Sequence, residues 1–207
     1  MKLMTLGDSH SLFNFAGVAE ARIYWRGPVT MHRAARDGIA SLVPKNCRPT
    51  SSDILILSLG EIDSRVHIPR VVKSNGTTSI EEVNALCDRF KIALNIFRKR
   101  CPARIALSCL VPFNPEYLCY EYYPDADTCL SDAKRVRHQM NARMSEMGIP
   151  FIDFQASYSN ADGSVRKEFS DGNVHIDPRQ PQAVLNAIAD TLGIEVNRRS
   201  PPGRQTA

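Results

Sequence analysis

A three-layer α/β/α domain on a central, mostly parallel five-stranded sheet is the fold this sequence predicts, and three observations carry the prediction. Segments of β character alternate along the chain with segments of helical periodicity, the pattern of strand-crossover-strand units. The run Ile54-Leu55-Ile56-Leu57 is apolar on both faces, as central parallel strands are. A length of 207 residues fits one elaborated domain, which can bury about 70% of its extended-chain surface without disulfides or metals.

The strands are expected at residues 2–6, 21–25, 53–59, 104–111 and 150–154. The clearest helix starts at Ser79, which forms a capping box with Glu82, and carries Val83, Leu86, Phe90, Ala93, Leu94 and Phe97 at helical spacing. A second helix is expected over about 131–147, stopped by Gly148, and a last one over 178–192, stopped by Gly193. Asp177-Pro178 followed by Gln180 supplies an N-cap, a proline at the first helical position and an amide at the third. Two stretches, 61–78 and 112–127, read as irregular loops long enough to act as lids or binding loops. No internal repeat or linker divides the chain, so residues 1–196 form one domain and 197–207 a basic, flexible tail.

Composition narrows the function. With 43% hydrophobic and 23% charged residues, 11 glycines and 13 prolines, the chain is not collagen-like, coiled-coil or wholly disordered. The net charge of +4 falls to +1 once Arg198, Arg199 and Arg204 of the tail are set aside. A body so near neutrality lacks the field that phosphate backbones require, which argues against nucleic acid as a partner. No apolar run is long enough to span a membrane, and the few apolar residues before Gly7 are too short for a secretory signal, so a cytoplasmic location is expected. The six cysteines form no C-x-x-C pair, and several lie in apolar periodic segments, where thiols are reduced and structural. No cluster of His, Cys and carboxylates has metal-ligand spacing, so neither metal nor cofactor is expected.

Three polar sites remain. Gly7-Asp8-Ser9-His10-Ser11 follows the first strand and precedes a helix, which sets Ser9 at the carboxyl end of a parallel strand, where open α/β sheets bind ligands. A serine there is either a helix N-cap or an exposed nucleophile. Ser170-Asp171-Gly172-Asn173-Val174-His175 precedes the last helix and offers a base with a carboxylate to orient it, though Asp-Gly is also an ordinary turn. Ser58-Leu59-Gly60-Glu61-Ile62-Asp63-Ser64-Arg65 emerges from the central strand, beside the expected position of Ser9, as a site or as a turn with ion pairs.

In this order the three sites resemble the SGNH or GDSL hydrolase family, and the resemblance runs from Gly7 to Asp177. It implies a flavodoxin-like sheet and a serine esterase without cofactor. Ser9 matches the nucleophile, His175 the base and Asp171 the orienting acid, with Asp177 the alternative. Backbone N–H groups of Ser9 and Gly27 would hold the oxyanion, Gly38 being an inferior match to the second. Asp8, His10, Gly60, Glu61, Asp63 and Arg65 fall around the same pocket as oxyanion or substrate-binding candidates.

Two departures stand out. The family's third block is Gly-x-Asn-Asp, whose Asn donates to the oxyanion, whereas Ile62 stands here, a loss of about 3 kcal/mol of transition-state stabilisation unless another group donates. Arg65 is the candidate replacement, for an oxyanion or a substrate carboxylate, or else a partner of Glu61 or Asp63. The family acid lies three residues before the histidine, whereas Asp171 lies four before His175, an insertion that a bulge at Gly172 absorbs. The implied substrate is a small acyl ester, such as an O-acetylated carbohydrate; an acyltransferase and a non-catalytic glycan- or partner-binding module are the alternatives.

Overall fold

A computed structural model describes residues 1–200. In chain order it contains β1 (Leu3–Gly7), α1 (Ser9–Phe13), β2 (Ala21–Trp25), α2 (Met31–Asp37), β3 (Ile54–Ser58), α3 (Ile68–Asn75), α4 (Ser79–Arg98), β4 (Arg104–Ser108), α5 (Ala126–Ser145), β5 (Phe151–Ile152), α6 (Gln155–Tyr158) and α7 (Gln182–Leu192). The five strands pair in parallel in the order β2-β1-β3-β4-β5. Strand pleat divides the core in two. Met4, Leu6, Leu55, Leu57, Ile105 and Leu107 face the layer of α2, α4 and α5, while Leu3, Ile54, Ile56, Ala106 and Ile152 face α7.

The five expected strands form where β propensity and apolar runs place them, each trimmed or shifted by a residue or more at its ends except β2. Several helix starts differ from expectation. Two overlapping capping-box patterns exist at the head of α4, and the one used is Thr78 with Glu81: the Thr78 hydroxyl accepts the Glu81 N–H at 3.3 Å and Glu81 accepts the Thr78 N–H at 2.8 Å. Ser79 is drawn away because its hydroxyl donates to the α5 carboxylate of Asp132 at 2.6 Å. α5 begins five residues before the expected helix because Asp125 caps it, accepting the Thr128 N–H at 2.7 Å. α7 begins four residues late. Pro181 disfavours helical backbone at Gln180, so Asp177 and Pro178 close a turn instead of opening the helix.

The stretch 61–78 is a helix in large part rather than a loop. A π-helical turn spans Asp63–His67 and leads into α3 with Pro69 in its first turn. The Ile68 N–H reaches back to the Asp63 carbonyl, and the proline sits where its missing N–H leaves no ordinary bond broken. Proline, histidine and adjacent valines hide this helix from propensity reasoning. In 112–127 the structure has two short 3-10 turns, Pro115–Tyr117 and Tyr120–Tyr122, before α5.

The first residues of the expected tail are fastened to the body. Val18 and Arg198 form an antiparallel bridge, the Ala19 N–H donates to the Asn197 carbonyl at 2.9 Å, and the Arg199 guanidinium donates to the carbonyls of Val18 and Ala21 at 3.0 Å each. Residues 197–199 are therefore tied to the α1–β2 connection by backbone pairing that charge content alone does not reveal; residues 201–207 of the expected tail lie outside the described residues. Among the described residues, no helix is long and apolar enough to cross a membrane. Cys47, Cys87, Cys109 and Cys129 are buried, and burial pushes their thiols upward, away from reactivity.

Candidate active site

The sheet order makes the carboxyl end of β1 a switch point: β2 lies on one side of β1 and β3 on the other, so the following connections diverge and leave a crevice there. The first glycine of Gly-Asp-Ser serves this meeting of strands. A Cβ on Gly7 would lie 1.8 Å from the Ser58 carbonyl oxygen, so only glycine allows β1 and β3 to approach so closely. Asp8 then caps α1, its carboxylate accepting the His10 N–H at 2.9 Å, and Ser9 becomes the first helical residue. The Ser9 N–H has no acceptor within the helix, as is general for a first turn, and Ser9 is partly exposed.

The loop 170–176 approaches from the far end of the chain. Ser170 and Ile176 form an antiparallel bridge, the Asp171 N–H donates to the His175 carbonyl at 3.1 Å, and Gly172 takes a φ of +85° at the tip. This closes the four-residue spacing: the extra residue goes into the positive-φ turn, and Asp171 curls back onto the histidine. His175 Nδ1 donates to Asp171 Oδ2 at 2.9 Å, which fixes Nε2 as the acceptor facing the Ser9 hydroxyl at 2.8 Å. The neutral tautomer thus points its lone pair at Ser9. Burial and the neighbouring His10 push the His175 pKa below 6.5, against the upward pull of Asp171 and Glu61.

Asp177 takes no part in this chain. Its carboxylate accepts the Arg179 N–H and guanidinium at 2.7–2.9 Å, an ion pair that holds it below the ordinary carboxylate range. Its role as N-cap of the last helix is likewise not realised, for the reason given by Pro181.

The remaining candidates divide. Gly27 lies two residues beyond β2 with a φ of +72° and open space around it, half-buried at the carboxyl edge of the sheet. Arg65 is partly exposed, with its Nε 3.8 Å from Glu61 Oε1, so it is at least a partner of that carboxylate. Asp8, His10, Gly60, Glu61 and Asp63 are all buried, and of these Asp8, His10 and Glu61 line one narrow crevice with Ser58 and Leu59. Gly60 turns the chain at a φ of +109° against Met140 and Leu110. Glu61 receives the Arg137 guanidinium at 2.5 Å, and both are almost wholly buried. Asp63 accepts the Met31 and His32 N–H groups at 2.5 and 3.0 Å, anchoring the start of α2; burial raises its carboxyl to about 6 although those bonds oppose the rise. His10 is 4% exposed, its Nε2 bonded to the Val174 carbonyl at 3.0 Å.

Two side chains beside the site went unread in the sequence. Phe13 stacks on the His175 ring, with centroids 4.0 Å apart and planes 18° from parallel. Its spacing of four from Ser9 on one helix put it on the same face, a signal that was there to read. Arg137, on α5, also donates to the Val111 carbonyl at 3.2 Å and has no local signal, because its partners are remote in sequence.

No protein-family model matches the chain, and no curated protein sequence does. Solved structures do match. A member of the lipolytic G-D-S-L family from Veillonella parvula aligns over 93% of this chain and 98% of its own, at 13% identity and a TM-score of 0.56. Phospholipase A1 from Streptomyces albidoflavus aligns over 92% and 98%, at 16% identity and 0.51. An acetyl xylan esterase from Geobacillus stearothermophilus aligns over 96% and 97%, at 15% identity and 0.52. At these identities the likeness is one of fold: the chain has the α/β/α fold of the SGNH and GDSL hydrolases.

Proposed function

We propose that this chain is a serine esterase of SGNH type, in which Ser9 is the nucleophile, His175 the general base and Asp171 the acid that orients it. One observation supports the reading above all others: the continuous hydrogen-bond chain from Ser9 through His175 to Asp171, at 2.8 and 2.9 Å, at the switch point of the sheet. His175 Nε2 takes the Ser9 proton as Oγ attacks the ester carbonyl carbon. The N–H groups of Ser9 and Gly27 hold the resulting oxyanion, with the Arg65 guanidinium as the candidate third donor in place of the absent asparagine. The imidazolium gives its proton to the departing alkoxide, leaving an acyl-serine. Water deprotonated by His175 then releases the acid and restores Ser9.

The substrate proposed is a small acyl ester, with an O-acetylated carbohydrate as the leading class, in keeping with the acetyl xylan esterase among proteins of this fold. An acyltransferase would use the same acyl-serine and a sugar hydroxyl in place of water, and product analysis with excess acceptor alcohol separates the two. The test of the reading is covalent labelling by a fluorophosphonate together with hydrolysis of a p-nitrophenyl acetate. Labelling of the wild type and not of Ser9→Ala is expected. No labelling of folded wild type overturns catalysis and leaves a binding module. Because His175 must be neutral to accept a proton and its pKa lies below 6.5, kcat/KM rises with pH through a midpoint below that value.

A further inference from the structure

We infer that His10 is a positioning residue carrying an imidazolium charge, which pins the Val174 carbonyl of the base-bearing loop and disfavours protonation of the adjacent His175. The inference rests on the reading of Ser9 and His175 as nucleophile and base.

The partners of the two ring nitrogens point to where the protons sit. A carbonyl oxygen only accepts, so His10 Nε2, 3.0 Å from the Val174 carbonyl, carries a hydrogen. His10 Nδ1 lies 3.3 Å from Asp8 Oδ1, where a hydrogen on nitrogen is favoured over a lone pair beside a carboxylate, and the inference places the second hydrogen there, making the ring cationic. His175 differs at the corresponding atom, because its Nε2 meets a hydroxyl that donates. The two rings lie 4.8 Å apart, centroid to centroid, so the His10 charge sits directly against the base.

The charged groups around the pair agree with this assignment. His10 is buried, which alone would strip its proton, but Asp8, Glu61 and the Val174 carbonyl outweigh burial and the pKa is raised above 6.5. Glu61 is itself neutralised in part by Arg137, and His175 is faced by Asp171, Glu61 and His10. Asp8 Oδ2, His10 Nδ1 and Glu61 Oε2 are buried without hydrogen-bond partners, and all three residues line one narrow crevice behind Ser9. The Asp8 carboxylate beside Nδ1, with Glu61 lining the same crevice, stabilises a cation there.

The linkage is reciprocal. His175 reaches from the loop to Ser9 on α1, and His10 reaches from α1 back to the carbonyl just before His175. That second bond matters because the tip of the loop is exposed, and its other ties are the Ser170–Ile176 bridge and the bonds from Asn114 and Tyr117 to Asn173 and Gly172.

The experiment is imidazole nitrogen NMR on the full chain with labelled histidine, across pH. His10 is expected to hold both hydrogens to higher pH than His175, whose midpoint lies below 6.5. In His10→Gln, whose amide still donates to Val174 but bears no charge, the His175 midpoint moves up toward 6.5, and the acid limb of kcat/KM moves with it. In His10→Leu, kcat falls about tenfold or more through loss of the tie, and Gln in place of Leu restores most of it. A neutral His10 in the wild type, or a His175 midpoint unmoved by His10→Gln, overturns the inference. The wild-type titration decides if neither variant folds. Failure of fluorophosphonate labelling defeats the esterase reading instead, and the order of the two titrations is judged without any turnover.

Discussion

The turns that follow β1 and β3 are neighbours in space and close in composition, each a glycine, then one acidic residue or two, then a helix. Their side chains do opposite things. After β1, Asp8 caps a short helix and leaves Ser9 partly exposed at the crevice. After β3, both acids turn inward: Glu61 pairs with the buried Arg137, and Asp63 anchors α2. The difference lies in what stands across from each turn. The β3 turn is covered by α2 and α5, which offer donors to its carboxylates, while the β1 turn meets the 170–176 loop, which offers an imidazole. One acidic turn therefore presents chemistry and the other holds the walls in place.

Breaking the presenting turn is expected to have the largest effect. Ser9→Ala lowers ester turnover by about 10^3-fold or more with an unchanged melting temperature, and His175→Ala added to it costs little further, because the groups act as one unit. Activity lost together with stability would assign Ser9 to the scaffold. Next, Asp171→Asn lowers kcat by about 10^2–10^4-fold by releasing the tautomer of His175, whereas Asp177→Asn leaves kcat within a few-fold. The opposite ranking in steady-state assays would exchange the two acids. Breaking the inward turn shows in unfolding instead. Glu61→Ala, which strands the Arg137 charge, costs about 3–5 kcal/mol in denaturant titration, and a loss below 1 kcal/mol would mean that the pair is solvated. Asp63→Ala costs about 1–3 kcal/mol through the two N–H groups it leaves unpaired at the start of α2. Smallest is Arg65→Met: a few-fold fall in kcat supports contact with the oxyanion, and a rise in KM alone assigns Arg65 to substrate binding.

The same comparison explains what could be read from the sequence. Strand positions followed from apolar runs, because a sheet covered on both faces leaves few other places for Ile54–Ser58 or Arg104–Ser108. The Ser9, Asp171 and His175 constellation was legible because each member lies beside a turn signal, and Gly172 explains the extra residue in the spacing. The inward roles of Glu61 and Asp63 were not legible, since Arg137 and the Met31 N–H lie 76 and 32 residues away. The depth at which His10 sits was not legible, because its burial is decided by the loop that closes over it, which begins some 160 residues later in the chain. The helix within 61–78 was missed because a π turn lets proline enter where the usual rules end a helix.

The bridge between Val18 and Arg198 has a practical side. Whoever shortens this chain for expression should stop no earlier than Arg199: a truncation at 196 would remove the Arg199 donors from the carbonyls of Gly17, Val18 and Ala21 and loosen the connection between α1 and the edge strand. An affinity tag belongs beyond that clasp, where it leaves the fastening intact.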